Sequence, residues 1–311
     1  MGRVVKIANS QLPIGKVLCY QDKLRIPTNK QLKFVCFVSG QNLILSAGSR
    51  RVADYCGGVS YKFRRCTTQN PVHCPNIRNP NISVRATLFV PYSTTVMGGR
   101  PNFSWESDPQ ADQYSIEVFL GKISLWKQTA STNSLAYPEG VAPLQPSNAY
   151  LVTVTAYRGN ATISSYNSVL NRISDQKAGL MQAAIGDIDA LPIPETEKTL
   201  DKDRIYVSQG LVSESIGILK SQLEQDKLNP TLHRVLGDRF MNAGLPKEAQ
   251  PLFQEAEFLA SKEQDMFELA KAKAGLAEIA AIPGILSKPA MPNCQSTETT
   301  PKRMGACFPP R

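Results

Sequence analysis

The sequence has little of what enzymes use for acid–base and metal chemistry. Only two of its 311 residues are histidines, His73 and His233, which leaves a histidine base or a histidine-rich metal site almost without candidates. Neither a glycine-rich phosphate loop, a G-x-S-x-G nucleophile elbow nor an H-E-x-x-H zinc helix occurs. We therefore expect a non-catalytic protein that needs no cofactor and no metal.

Long apolar runs are also absent, and we expect no transmembrane segment. The longest runs, such as residues 34–38, fall far short of the roughly 18 residues that a membrane-spanning helix requires. Residues 1–14 show no charged end followed by an apolar run, so no secretory signal is visible. Because these residues are strand-like, we expect the real start to lie upstream and the protein to be extracytoplasmic, in the periplasm or at the cell surface. If the given start is the real one, we expect a cytoplasmic protein.

Cysteine is missing from the long stretch between Cys74 and Cys294. The earlier cysteines are widely spaced, unlike zinc ligands, and their spacing fits disulfides in an oxidising compartment. Reduced buried thiols are an alternative, and His73 beside Cys74 is the only sign of a metal site. Because five is an odd number, at least one cysteine is unpaired or is bridged to Cys294 or Cys307. The disulfide candidates are Cys19, Cys36, Cys56, Cys66 and Cys74.

Positive charge is concentrated at the start of the chain. Residues 1–90 hold 14 Lys/Arg and 2 Asp/Glu, a net charge of +12 in a chain whose total is +9. Such a field attracts phosphate, acidic polysaccharide or lipid headgroups without choosing among them. The plainer interpretation is that these cations occupy the solvent faces and edges of strands. The polyanion-binding candidates are Arg50, Arg51, Lys62, Arg64 and Arg65.

The first 170 residues carry the pattern of strands. Short apolar patches between turn residues predict a small all-β domain over residues 1–65, and the Pro- and Asn-rich residues 66–82 predict an irregular connector. Over residues 83–170 the strands alternate with period 2: Phe103 and Trp105 share a face, as do alternate apolar residues in later strands. This segment is typical of a β-sandwich.

A short motif narrows the class of the predicted sandwich. Leu144 and Tyr150 stand in an L-x-P-x-x-x-Y spacing that follows the strand with Trp105. This combination resembles the tyrosine corner of fibronectin type III domains, which are immunoglobulin-like β-sandwiches. The resemblance implies that the Tyr150 hydroxyl bonds to nearby backbone and closes a Greek-key crossover.

Beyond Asn171 the apolar period changes to 3.6, which predicts helices over residues 171–286. The first ends before Pro192 and Pro194, and residues 195–203 predict a linker. Four amphipathic helices follow. Their apolar stripes are Val212, Ser215, Ile216, Leu219 and Leu223; Leu232, Val235, Leu236 and Phe240; Ala249, Leu252, Phe253 and Ala256; and Phe267, Ala270 and Ala274.

The second and third of these four helices resemble a tetratricopeptide repeat, although His233 stands where tryptophan is usual. An earlier repeat, about 34 residues before, is only faintly preserved. The resemblance implies helical hairpins with a concave, partner-binding groove, for which His233, Arg234 and Asn242 are the candidate residues. The repeat pattern is met by Leu236, Gly237, Phe240, Gly244, Ala249, Phe253 and Ala256.

The order of modules resembles that of extracytoplasmic multidomain proteins of bacteria, cyanobacteria among them. In these, a small β domain faintly like the periplasmic part of ferric-citrate regulators precedes sandwich and repeat modules. The resemblance implies an envelope adaptor that binds a protein or peptide partner through its helical repeats. The alternative is a polyanion- or glycan-binding envelope protein whose basic domain binds acidic polysaccharide or a membrane surface; we expect no specific nucleic-acid partner. Residues 287–311 predict a disordered tail.

Overall fold

A computed structural model describes residues 1–7, 13–56 and 88–282. Strands occupy the described chain as far as Arg172, and helices follow from Asp175. The coarse prediction of a strand-rich part followed by a helical part is therefore confirmed. Several predicted features lie outside the described residues: the connector at 66–82, the tail at 287–311, and Lys62, Arg64, Arg65, Cys66 and Cys74.

The first strands form a four-stranded sheet and a two-stranded ribbon. Their bounds are β1 Gly2–Ile7, β2 Val17–Leu18, β3 Lys23–Ile26, β4 Leu32–Cys36, β5 Gln41–Leu45 and β6 Gly48–Arg51, with helix α1 at Val52–Cys56. The sheet has the order β2-β1-β4-β5, and the ribbon pairs β3 with β6. Val4 and Phe34 of the sheet are fully buried and share a core with Leu24 and Ile26 of the ribbon. The ribbon is therefore fixed to the sheet by its apolar face.

A second group of strands forms two more sheets. Their bounds are β7 Leu88–Val90, β8 Thr95–Val96, β9 Phe103–Trp105, β10 Gln113–Leu120, β11 Ile123–Ala130, β12 Ser134–Leu135, β13 Ala149–Arg158 and β14 Ala161–Arg172. One sheet has the order β11-β10-β13-β14-β8 and the other β12-β9-β7. Within the described strands, only β14 and β8 run parallel; the other neighbours are antiparallel.

Side chains of these two sheets share one core. Phe103 and Trp105 of β9 are 1% and 0% exposed, and they pack with Tyr114, Ile116 and Val118 of β10. Alternate residues of β13 are buried as well, so the predicted period of 2 is confirmed. It arises because successive side chains of a strand point to opposite faces and only one face of this sheet is covered.

The Tyr150 hydroxyl joins the start of β13 to the loop before it. The Gln145 N–H donates a hydrogen bond to this hydroxyl over 2.5 Å, and the hydroxyl donates to the Gln145 carbonyl oxygen over 3.1 Å. Tyr150 itself is 1% exposed. The two bonds satisfy a buried hydroxyl that would otherwise destabilise the core.

Six helices complete the described chain. Their bounds are α2 Asp175–Asp189, α3 Glu195–Ser208, α4 Val212–Gln225, α5 Pro230–Asn242, α6 Pro246–Glu263 and α7 Met266–Ala280. Polar caps mark where several begin: the side chains of Ser174, Asn229 and Asp265 each accept backbone N–H bonds from the first turn of α2, α5 and α7. Such caps satisfy donors that have no partner within the helix.

Helix α3 corrects one sequence-based prediction. Residues 195–203 were expected to form a linker, but they form the first part of a 14-residue helix that begins after Pro194. Its buried positions include Lys198, Asp201 and Asp203, so the buried face is held by ion pairs and carries few apolar groups. A search for an apolar stripe therefore does not detect it.

Helix α7 corrects a second sequence-based prediction. Phe267, Ala270 and Ala274 were expected on the buried stripe, but all three are exposed. The buried positions are Glu268, Ala272, Gly275 and Ile279. The other three stripes are mostly buried as expected: Val212, Ser215, Ile216, Leu219, Leu232, Val235, Leu236, Phe240, Ala249, Phe253 and Ala256.

The first sheet packs directly on helices α2 and α3. Val35 and Phe37 share a core with Met181, Ile188 and Ile205 of these helices. The first strands therefore pack against helices that come more than a hundred residues later in the chain. In the described parts of the chain, no helix is long and apolar enough to cross a membrane.

A buried ion pair crosses the same junction. Arg3, 3% exposed, pairs with the fully buried Asp201 and donates to the Gly15 carbonyl over 2.6 Å. Arg204 also pairs with Asp201, over 2.7 Å. Burial raises the pKa of Asp201, and the two guanidinium groups oppose that shift. Both charges are thus removed from water, which ties β1 to α3 at one orientation.

Candidate interaction surfaces

The three residues predicted to line a groove are largely engaged within the protein. The His233 Nε2–H donates to the Lys227 carbonyl oxygen over 2.8 Å, and its Nδ1 is buried without a partner among the described residues. Asn242 is half-buried at the end of α5. The Arg234 side chain is 11% exposed and forms ion pairs with Glu268 and with Asp238, the latter over 2.7 Å.

The ion pairs of Arg234 hold two helices together. Its partner Glu268 lies on α7, is 7% exposed and also pairs with Lys271 over 3.2 Å. A guanidinium group in a planar, multiply bonded pair has few donors left for a ligand. Arg234 therefore fastens α5 to α7, which the sequence could not reveal because Glu268 is 34 residues away.

A similar buried network joins α3, α4 and α5. Arg239 donates to both carboxylate oxygens of Asp203 over 2.7 Å, and the Ser215 hydroxyl donates to Asp203 over 2.5 Å. Burial opposes the charge of Arg239, but the bonds to Asp203 outweigh it and raise the pKa of the guanidinium. The network is internal, since the side chains of Arg239 and Asp203 are 15% and 2% exposed.

Large apolar side chains are exposed where the described helices end. Phe258 on α6 is 62% exposed, and Met266 and Phe267 at the start of α7 are 66% and 68% exposed. Leu228, in the turn between α4 and α5, is 68% exposed. The Lys271 ammonium lies 3.6 Å from the centre of the Phe267 ring. We call these four apolar residues the helix-end surface.

The sequence did not single out the helix-end surface because its pattern looks like an ordinary core stripe. Phe267 was assigned to the buried side of α7 by its spacing from Ala270 and Ala274. Which stripe of a helix is covered depends on its neighbours, and here α6 covers the stripe that carries Glu268 and Gly275.

Several exposed cations of the described N-terminal part lie on the β3–β6 ribbon. Of the predicted polyanion-binding residues, Arg50 and Arg51 are exposed on β6; Lys62, Arg64 and Arg65 lie outside the described residues. The strand pairing places Lys23 opposite Arg51 and Arg25 opposite Ser49. Lys23 and Arg25, which the sequence did not single out, are exposed too. The register thus places Lys23, Arg25 and Arg51 on one face of the ribbon, whereas Arg50 lies opposite the buried Leu24 on the other face.

One predicted pair of cysteines forms a disulfide. Cys36 at the end of β4 is bonded to Cys56 at the end of α1. Cys19 is free and exposed, while Cys66 and Cys74 lie outside the described residues. The prediction of a disulfide is therefore confirmed for Cys36 and Cys56. The covalent loop that it closes contains β5 and β6, whereas β3 lies outside it.

A shallow pocket of about 450 Å³ lies between the first sheet and the start of α2. Ser39, Lys177, Leu180 and Gln209 are among its lining residues. The Ser39 hydroxyl is buried without a described partner. The Gln209 amide donates a hydrogen bond to the Val38 carbonyl oxygen over 2.7 Å. The pocket has no paired nucleophile and base among these residues, so its geometry suggests no reaction.

The carboxylates that could be proposed for acid–base chemistry form structural contacts. Asp187 accepts a bond from Asn42 and pairs with Lys33, both over 2.5 Å, which fastens α2 to the first sheet. Asp189 pairs with Lys202 over 2.8 Å. In the described part of the chain, no three His, Cys, Asp or Glu side chains come together as a metal site would require.

Comparisons with known proteins add no family. No protein-family model matches the chain, and no curated protein is significantly similar to it.

Proposed function

We propose that the chain is a non-catalytic adaptor of the bacterial envelope that binds a partner protein through its helical part. The observation that carries the proposal is the helix-end surface, where Phe258, Met266 and Phe267 are each more than 60% exposed. Aromatic residues and Met are enriched at protein interfaces, and Met266 and Phe267 are neighbours in sequence that are both exposed.

The strand-rich part fits a fibronectin type III-like sandwich as the support of the adaptor. Two sheets with a common core and an alternating pattern favour that class. The hydrogen bonds between Tyr150 and Gln145 have the form expected of a tyrosine corner. A rigid support of this kind would hold the helices in one orientation.

The helical part fits tetratricopeptide-like hairpins. Phe253 of α6 packs against Gly237 of α5 and Gly275 of α7, so that one ring lies between two close backbones. Arg234 and Glu268, which pair between α5 and α7, are 34 residues apart, the length of one such repeat. We propose that α3 with α4 and α5 with α6 are two hairpins and that α7 begins a third.

The partner that best fits the helix-end surface is an amphipathic helix of another protein. In arrays of helical hairpins each helix is covered by the next one. Helix α7 exposes Phe267, Ala270 and Ala274 on a face whose small residues permit close helix packing. A partner helix with large apolar side chains would cover this face as α6 covers the opposite one.

The disulfide supports the proposed location. Disulfides persist in oxidising compartments such as the periplasm and the cell surface and are rare in the cytosol. The bridge between Cys36 and Cys56 closes a separation of 20 residues. We therefore propose that the adaptor acts outside the cytoplasm.

Site-specific photocrosslinking in the native host tests the proposal. The crosslinking amino acid benzoylphenylalanine replaces Phe267 in the full chain, and in a matched control it replaces Ile123, which is 69% exposed on the edge strand β11. We expect a discrete adduct with one partner protein at position 267 and none at position 123. The adduct at 267 should disappear when Met266→Asp is added.

Three outcomes would contradict the proposal. They are the same adducts at both positions, crosslinks only within the chain itself, and an adduct that is insensitive to Met266→Asp. Thermal unfolding of each variant checks the fold, and we expect Met266→Asp to leave it intact because the side chain is 66% exposed.

A further inference from the structure

The β3–β6 ribbon carries an arrangement of charges that opposes its own folding. Lys23 and Arg51 are directly opposite each other in the antiparallel pair, and like charges in that position are destabilising. Arg25 follows Lys23 by two residues and so points to the same face, because side chains alternate along a strand. The opposite face of β3 is buried through Leu24 and Ile26.

Of these cations, only Arg51 has a described carboxylate partner. It pairs with Asp54 over 3.6 Å. No described carboxylate lies within ion-pairing distance of Lys23, Arg25 or Arg50. Elsewhere in the described chain, most arginines are paired: Arg3, Arg172, Arg204, Arg234 and Arg239 each have a carboxylate partner. Within the described residues, Lys23 and Arg25 therefore lack a carboxylate partner on the face that also carries Arg51.

We propose that Lys23, Arg25 and Arg51, which share one face of the ribbon, form a binding site for an acidic polysaccharide. A chain of carboxylate groups would supply the missing counter-charges, and the planar guanidinium groups of the two arginines suit carboxylates bidentately. The other face of the ribbon packs in the core of the first sheet through Leu24 and Ile26, so its shape is fixed before the ligand binds. This site is separate from the helix-end surface and does not depend on it.

The chemistry of the ribbon favours a polysaccharide over the other polyanions. Stable adsorption to a membrane requires an inserted apolar group besides the charges, and no exposed large apolar side chain of the described chain lies on β3 or β6. Single-stranded nucleic acid is held by aromatic stacking, and neither strand carries an aromatic residue. A flexible acidic glycan needs only the charges and hydrogen-bond donors that the ribbon presents.

Binding of fluorescently labelled oligogalacturonate to the full chain, measured by anisotropy, tests the proposal. We expect saturable binding that weakens by about 20-fold between about 50 and about 200 mM salt, the dependence of roughly three charge contacts. The variant Lys23→Gln/Arg25→Gln/Arg51→Gln should bind at least about tenfold more weakly. Asp54→Asn should bind more tightly, because it frees Arg51 and leaves an oxygen to accept the Arg51 N–H.

The matched control removes three exposed cations at other places. Lys122→Gln/Arg158→Gln/Lys262→Gln changes the net charge by the same amount, and it should alter the affinity by less than about twofold. The ribbon variant should unfold at the same or a higher temperature than the wild type, since it loses a like-charge pair. Weakened binding in a folded protein then reports on the site.

Four results would overturn the proposal. They are equal losses in the two triple variants, absence of saturable binding at low salt, binding to vesicles of phosphatidylcholine and phosphatidylglycerol but not to oligogalacturonate, and tighter binding to a DNA duplex of equal charge. Each result leaves the helix-end surface untouched, so the failure of this proposal is distinct from the failure of the adaptor.

Discussion

At the scale of single residues, Glu214 shows how burial disfavours the charged form of a carboxyl group. It lies in the first turn of α4, where one carboxylate oxygen accepts the Met97 N–H over 2.8 Å and the other is buried without a described partner. A helix N-terminus favours a carboxylate. Burial nevertheless prevails and raises the pKa of Glu214 above its ordinary value of 4.5.

The raised pKa gives a stability effect of defined sign. Well below pH 4.5 the carboxyl is protonated in the folded and unfolded states alike, and its ionisation does not affect folding. As the pH rises, the unfolded chain loses this proton first, so the free energy of unfolding falls until the folded form has ionised too. Glu214→Gln keeps an oxygen for Met97 and should therefore be more stable than the wild type at pH 7 and equal to it near pH 4.

Urea unfolding of both proteins over this range of pH measures the difference. Glu224→Gln is the control, because the Glu224 side chain is 73% exposed and its change should leave the wild-type profile in place. A constant difference between Glu214→Gln and the wild type at all pH values would show that the carboxylate charge is not the cause.

Residue types and their counts predicted part of the candidate sites. Arg51 was found because the charge of the chain is concentrated in its first third, whereas Arg50, found in the same way, lies on the other face of the ribbon. Lys23 and Arg25 were not, since their importance comes from the register of β3 with β6. The engagement of Arg234 by Glu268 was equally invisible, because it depends on two helices lying side by side.

At the scale of elements, the packing of α5, α6 and α7 depends on two glycines. A Cβ at Gly275 would lie 2.6 Å from the Phe253 ring, and one at Gly237 would lie 2.9 Å from it. Phe253 is fully buried and cannot move away. The close approach of the helices therefore needs residues without side chains at these positions.

Gly275→Ala should destabilise the protein by about 1–3 kcal/mol, because the added methyl group overpacks the core around Phe253. Gly217→Ala is the matched control: this glycine lies in helix α4 with nothing near its position, and alanine should stabilise the helix by up to about 1 kcal/mol. Chemical unfolding followed by the helical circular dichroism signal measures both. A stabilising effect of Gly275→Ala would contradict the described packing.

Elements were predictable where one face of a regular segment meets the core. The strands β10 and β13 and the helices α4, α5 and α6 were detected by their periods of 2 and 3.6. Helix α3 was missed because Asp201 and Asp203 hold its buried side through charges. On α7 the exposed stripe is the more apolar one, so periodicity selected the wrong face.

At the scale of the whole molecule, the first sheet and the helices α2 and α3 share one core. Val35, Phe37, Met181, Ile188 and Ile205 all belong to it. No local pattern of the sequence indicates this junction, because its two sides are far apart along the chain and each side looks complete by itself. Cores shared in this way make the parts unfold together.

Ile188→Ala tests this shared stability. Ile188 is 0% exposed, and its truncation should destabilise the protein by about 2–5 kcal/mol. We expect faster amide hydrogen exchange both in α3 and in strand β4, because both lose the contacts of the common core. Ile116→Ala in the core of the five-stranded sheet is the control of similar size, and it should speed exchange mainly in β10 and its neighbours. If Ile188→Ala loosened the helices and left β4 as protected as before, the first sheet would be an independent unit, and the orientation of the basic ribbon relative to the helix-end surface would not be fixed by packing.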